Sequence, residues 1–455
     1  MNPQIKERWI KMAKYKTEPL RSWDKAKELR LQYYKRFAAA HEKGGLRWGG
    51  GSWAPSSIPK AFGDDVVGLT SEPYAASIAF DRKFSARCLD AAEKWGFARD
   101  VCSYMLNYLG SVLLDEYAFG GPFPKHDFVM QTHICCTHAK WYQNVTEIEG
   151  GVPMFGIDMG PGPCAPFDEN IAHRIDYIAG QFLDAIDWIE KTIRRSFNEE
   201  RFLEAVWDEL RTVSIWAKIA ELNQAVPAPL EEKTLYALFV LATLDKAWKA
   251  IPDYYEELYD EVKDRVDRGI AAIEDENFRV MTDSQPPWGF LKMYRILANH
   301  GAISIGSLYT FALEGIWNYD KEKRMIFPKE LPKEKPQNRE EGCRLLAEWF
   351  LERPLYQATY HPDFRIAMMS AVARQWKVDG IIIHLNRGCE LVCVNVAETR
   401  LGLIKEGFKV MTYEGNMGDE RDFDLESTLS RLNIFLELLE ESRAEQKKAA
   451  SCSRG

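Results

Sequence analysis

The chain has 455 residues, 46% of them hydrophobic and 28% charged, with a formal net charge of -9. That length predicts two or three compact domains of roughly 150 residues each. The acidic balance, without a basic run of five or more, excludes a phosphate-neutralising nucleic-acid surface.

Residues 1–62 read as a helical arm and a linker, the linker being the Gly-, Pro- and Ser-broken stretch "GGLRWGGGSWAPSSIP". The opening "MNPQIKERWIKMAKYK" lacks the apolar centre of a signal peptide, so the expected location is the cytoplasm. Short apolar runs bounded by turn residues follow at 64–70, 126–132 and 152–158, with helical stretches at 84–96 and 102–114. Such runs predict buried strands of a parallel sheet, giving a first α/β domain over 63–171. The longest uncharged segments, such as Val101 to Leu114, fall short of the roughly 20 apolar residues of a bilayer span, which predicts no membrane segment.

From residue 172 the period changes. Ile175, Ile178, Phe182, Ile186, Ile189 and Ile193 recur at spacings of three and four, one face of a helix. Asn198 is a candidate N-cap for the next helix, whose stripe is Phe202, Val206, Leu210, Val213 and Trp216. A helical segment over 172–275 is predicted. Strand-like runs return at 278–284, 301–307, 379–385 and 408–414, predicting a second α/β domain over 276–440 with a surface loop at 327–341 and a mobile tail at 441–455. The expected fold is therefore α/β: two parallel-sheet domains of Rossmann or flavodoxin type, a helical arm before them and a helical segment between them.

Nine cysteines occur, at 88, 102, 135, 136, 164, 343, 389, 393 and 452. In a reducing compartment they are buried packing or metal ligands rather than disulfides. Ligands of open parallel sheets gather at the carboxyl ends of the strands. Cys135 follows the run "DFVMQT", Cys389 follows "GIIIHL", and Cys102 opens a helical pattern, where the helix dipole favours a thiolate. No C-x-x-C pair is present, so zinc on "CCTH" with His133 and His138 lacks its usual second pair. Neither a G-x-x-x-x-G-K-[ST] loop nor a G-x-G-x-x-G turn after a strand occurs, leaving no sequence-evident site for ATP or NAD.

The segments "ARDVCSYMLNYLG", "HICCTHAKWYQ", "DSQPPWGFLK", "DGIIIHLNRGCE" and "AETRLGLIKEGFKVMTYEGNMGDERDF" together resemble the 2-hydroxyacyl-CoA dehydratase and benzoyl-CoA reductase family. Within it the likeness is greatest to the larger catalytic-core subunits of ATP-dependent (class I) benzoyl-CoA reductases. The resemblance implies one 4Fe-4S cluster held by three cysteines, with a non-protein fourth position. Carried over, the ligands fall on Cys102, Cys135 and Cys389. Cys135 precedes Lys140 and Trp141 at the family's spacing, while Cys136, where relatives more often carry Asp or Asn, remains a candidate ligand swap.

The implied reaction is low-potential electron transfer to a benzoyl-CoA or related aryl-CoA ring, followed by protonation. The alternatives are radical dehydration of a 2-hydroxyacyl-CoA, or a non-catalytic electron-transfer subunit whose cluster is closed by Cys136 or Cys393. Implied partners are a smaller homologous cluster-bearing subunit, an iron–sulfur ATPase activator, ferredoxin as upstream donor and an acyl-CoA substrate. Candidate proton-handling groups are His384, His133, His138 and Glu72, the last with a pKa raised by burial. Asn386, Arg387 and Gln285 are candidate hydrogen-bond donors to the cluster or to the thioester oxygen.

Overall fold

Among the described residues, ten strands order the chain: β1 (Leu46–Gly50), β2 (Val66–Thr70), β3 (Phe128–His133), β4 (Met154–Asp158), β5 (Phe278–Asp283), β6 (Ala302–Ser307), β7 (Trp317–Asp320), β8 (Met325–Pro328), β9 (Gly380–Asn386) and β10 (Lys409–Gly415). The structure, a computed structural model, describes residues 13–160 and 170–452, with side chains of the last helix as far as residue 445. Cys164, the side chain of Cys452, the first 12 residues of the expected arm and the end of the expected tail lie outside the described residues.

Two four-stranded sheets form, ordered β2-β1-β3-β4 and β10-β9-β5-β6. All their pairings are parallel. In each, the chain starts at a central strand and winds outward both ways, the doubly wound arrangement with its switch point between the two central strands. The apolar runs explain the burial: β2, β5 and β6 are buried at every position, as strands covered on both faces must be. The expected fold class is the one observed.

Three details differ from the sequence reading. β1 lies inside the 1–62 stretch, so the first sheet opens with "LRWGG", residues whose glycines gave a linker pattern rather than a strand pattern. Phe327 and Pro328 of the expected surface loop belong to β8, which pairs antiparallel with β7. The expected tail continues the helix Leu425–Cys452, because nothing between 440 and 452 breaks a helix.

Between the sheets stand four long helices: Ile171–Ile193, Glu199–Glu221, Glu232–Leu244 and Ala250–Asp267. Asn198 caps the second of them, its side chain accepting from the Arg201 N–H at 2.8 Å. Ile178, Phe182, Ile186 and Ile189 are essentially inaccessible, each contributing at most about 1.5–3 kcal/mol by burial. The arm is tied in rather than free: Glu261 accepts from the Arg21 and Ser22 backbone N–H groups at 2.5 and 2.9 Å. Among the described residues no helix is long and apolar enough to cross a membrane.

Candidate functional site

The carboxyl ends of both sheets open on one small cavity of about 50 Å³. From the first sheet come Ser52 after β1, Glu72 after β2, and Cys135 with His138 after β3. The second sheet contributes Gln285 after β5, Tyr309 after β6, Cys389 after β9 and Met417 after β10. Cys102 enters from the loop before the helix Ser103–Leu113.

All three thiols occupy helix N-caps. Cys102 caps Ser103–Leu113, Cys135 caps Cys136–Ile148 and Cys389 caps Glu390–Cys393. Free N–H groups and the positive helix end therefore face each sulfur. Gly388 permits the approach of two of these loops. Its φ is +75°, and a Cβ there would stand 2.7 Å from the Val101 carbonyl oxygen, next to Cys102.

The electrostatics of the three sulfurs differ. Burial pushes the Cys102 thiol well above its ordinary value, the neighbouring Cys389 adding to the effect against the Met105 and Tyr104 amides. Burial and the helix end act on this sulfur in opposite directions, and in the iron-free chain burial is the larger. Burial likewise pushes Cys389 up to about 11. Burial also opposes ionisation of Cys135, yet the charge and hydrogen bond of His138 outweigh it and hold this thiol below its usual range.

His138 bridges the Cys135 sulfur and the Glu72 carboxylate. Its Nδ1 lies 3.1 Å from the Cys135 sulfur and its Nε2 lies 2.8 Å from Glu72 Oε1. Burial works against the imidazolium, but Cys135 and Glu72 raise it to about 10. Glu72, expected to titrate high, is instead held low: His138, with the Ser52 N–H at 2.9 Å, overcomes the desolvation.

On the opposite side Gln285 donates to the Cys389 sulfur at 3.5 Å, and Asn386 donates to the Gln285 side-chain oxygen at 2.9 Å. Asn386 thus acts on the sulfur through Gln285. His384 does not line the cavity: it stacks on Tyr413 at 4.7 Å, and its Nδ1 hydrogen-bonds the Gln285 carbonyl at 2.6 Å. Burial holds its pKa down at about 4. His133 is exposed beside Asp158, and Arg387 is exposed and paired with Glu414 at 2.6 Å.

Cys136 and Cys393 also fall outside the cavity. Both line an outer concavity on the far side of Cys102 and Cys389. The exposed Cys136 thiol donates to Glu390, and Cys393 is engaged by the backbone of Asn386. Sequence reading missed Ser52 and Tyr309. The usable signal for Ser52 was the run Gly49-Gly50-Gly51, because a Cβ on Gly51 would stand 3.2 Å from both Glu72 and His138.

Among the described residues no three Cys, His, Asp or Glu side chains converge on a single metal ion. The three thiols instead surround a volume, a donor set suited to a cofactor wider than one atom. Together these features define an α/β protein of two parallel sheets with a thiol-lined site where their carboxyl ends meet. The chain belongs to the family described as "2-hydroxyglutaryl-CoA dehydratase, D-component", whose model matches residues 52–439.

Similar curated proteins span nearly its full length. Identity is 25% to the alpha subunit of lactoyl-CoA dehydratase from Anaerotignum propionicum, covering 86% of this chain and 91% of that one. It is also 25% to the (R)-2-hydroxyisocaproyl-CoA dehydratase alpha subunit of Clostridioides difficile, covering 90% and 94%. A benzoyl-CoA reductase subunit of Thauera aromatica is 20% identical, over 80% of this chain and 82% of that one.

Proposed function

We propose that Cys102, Cys135 and Cys389 hold one 4Fe-4S cluster and that the chain is the cluster-bearing subunit of an enzyme acting on CoA thioesters. The observation carrying this reading is the convergence on a single cavity, at the carboxyl ends of both sheets, of three thiols from helix N-cap positions. When bound, the cluster would supply single low-potential electrons to the substrate.

The chain's own residues supply the rest. Glu72, ionised and fixed by Ser52 and His138, faces the cavity and is placed to take a proton from the substrate. His138 keeps the countercharge at the Cys135 sulfur, and the Gln285 amide steadies Cys389. The positions of Cys136 and Cys393 outside the cavity favour an open fourth position over a closed, electron-transfer-only site.

Dehydration of a 2-hydroxyacyl-CoA is the first reading, reversing the order expected from sequence, because the dehydratase alpha subunits cover most of both chains at 25% identity. Reduction of benzoyl-CoA is the second, favoured by the 20% identity to a benzoyl-CoA reductase subunit. Either reading takes a smaller homologous subunit, an iron–sulfur ATPase activator and ferredoxin as partners.

Anaerobic purification with iron and sulfide analysis, then turnover with the reduced activator, tests both levels. About four irons per chain and release of water from a 2-hydroxyacyl-CoA are expected. Fewer than three irons would remove the cluster assignment; turnover of benzoyl-CoA alone would promote the second reading.

A further inference from the structure

A second chamber of about 570 Å³ adjoins the thiol cavity. The two share Ser52, Glu72, Tyr309 and Leu313, which mark the inner end of the chamber. At the other end it shares Trp23, Glu231, Lys233 and Thr234 with a surface groove that also holds Arg265 and Arg295. Groove, chamber and cavity therefore form one path from the surface to the three cysteines.

The middle of that path is aromatic. Phe80 lies 5.2 Å from Trp288, Trp288 lies 5.4 Å from Tyr236, and Phe239 lies 5.3 Å from Tyr309, ring centre to ring centre. Phe80 and Phe119, 55% and 38% exposed, present apolar faces that a folded chain ordinarily covers. At the inner end the lining charge is the Glu72 carboxylate, already matched by His138, while at the outer end the exposed cation Lys233 sits with the carboxylate Glu231. Arg30, exposed and also lining the chamber, is two helical turns from Trp23 on the same face.

Resting on the thioester reading above, we propose that this chamber selects the acyl group. It takes uncharged, bulky apolar acyl chains, aryl or branched alkyl, and rejects acyl chains ending in a carboxylate. An apolar acyl group gains by covering Phe80, Trp288 and Phe239. A terminal carboxylate would lose its water beside aromatic walls and meet Glu72, with no spare cation among the described residues lining the inner end. The phosphates of the CoA moiety stay outward, toward Lys233 and Arg30.

Calorimetric titration of the anaerobically purified complex with four non-reacting ligands tests this: 3-phenylpropanoyl-CoA, 4-methylpentanoyl-CoA, glutaryl-CoA and free CoA. The first two are expected to bind roughly tenfold or more tighter than glutaryl-CoA. Ala237→Trp, which fills the chamber, should erase that preference and leave free CoA unchanged. Phe80→Ala, at an exposed position, should reduce the preference without a folding defect, and Lys233→Glu should weaken all four ligands together. Equal binding of glutaryl-CoA and 3-phenylpropanoyl-CoA, unmoved by Ala237→Trp and Phe80→Ala, would overturn the selectivity alone. Binding of no CoA thioester would overturn the thioester reading beneath it.

Discussion

The two sheets are wound alike, and in each the central pair of strands leads into the cavity: β1 and β3 deliver Ser52 and Cys135, β5 and β9 deliver Gln285 and Cys389. Their chemistry differs. The first half is ionic, with Glu72, His138 and the Cys135 sulfur in one hydrogen-bonded line. Around the Cys389 sulfur the second half offers the Gln285 and Asn386 amides with an uncharged His384 behind them, while its carboxylate Glu390 accepts from Cys136 and its Asp283 is matched by Arg365. A shared topology decides where a site forms. Side chains at the strand ends then decide whether a thiol's pKa is drawn down, as at Cys135, or pushed up by burial, as at Cys389.

Variants can break this contrast. Cys135→Ala should abolish turnover and strip the iron, whereas Cys136→Ala, outside the cavity, should keep it; iron analysis of both proteins reads the difference. Within the ionic half, His138→Gln removes the countercharge from two half-buried partners and should destabilise the iron-free protein by roughly 1.5–3 kcal/mol in denaturant unfolding. Its neutral counterpart, Gln285→Leu, should lower stability by only about 1 kcal/mol in the same measurement. Comparable losses from the two variants would end the ionic-versus-neutral distinction.

The neutrality of His384 has its own test. Its folded pKa, about 4, lies below the ordinary histidine value of 6.5, so the unfolded chain binds the extra proton first as pH falls. Its contribution is present above pH 6.5 and lost between there and about 4, worth about 3 kcal/mol. His384→Phe, which keeps the stack on Tyr413, should lack that part of the acid slope. The smallest effect belongs to Arg387→Ala: the Arg387–Glu414 pair is exposed at the surface, and neither unfolding midpoint nor iron content should move measurably.

Much of this was legible in the chain. Seven of the eight strands in the two parallel sheets coincide with apolar runs, and the change to a three-and-four spacing after residue 172 marks the helices between the sheets. The eighth, β1, was hidden because Gly49 and Gly50 carry no side chain to show a strand pattern. The cysteines could be ranked because strand ends and helix starts leave signatures in sequence. The histidines could not, because along a strand every residue looks to one face or the other and only the packing of the domains decides which face meets the cavity. His384 on β9 turned to Tyr413, and His133 at the end of β3 stayed in solvent.

By itself, then, the sequence determined most of the elements, β1 and the β7–β8 pair excepted, and the placing of three cysteines at strand ends and a helix start, since periodicity, turn residues and helix starts are local properties. Tertiary structure alone decided that Cys102, Cys135 and Cys389 meet, that Cys136 faces outward to Glu390, and that His138 links Cys135 to Glu72. Those outcomes depend on desolvation and on partners far apart in the chain, and no local pattern encodes either.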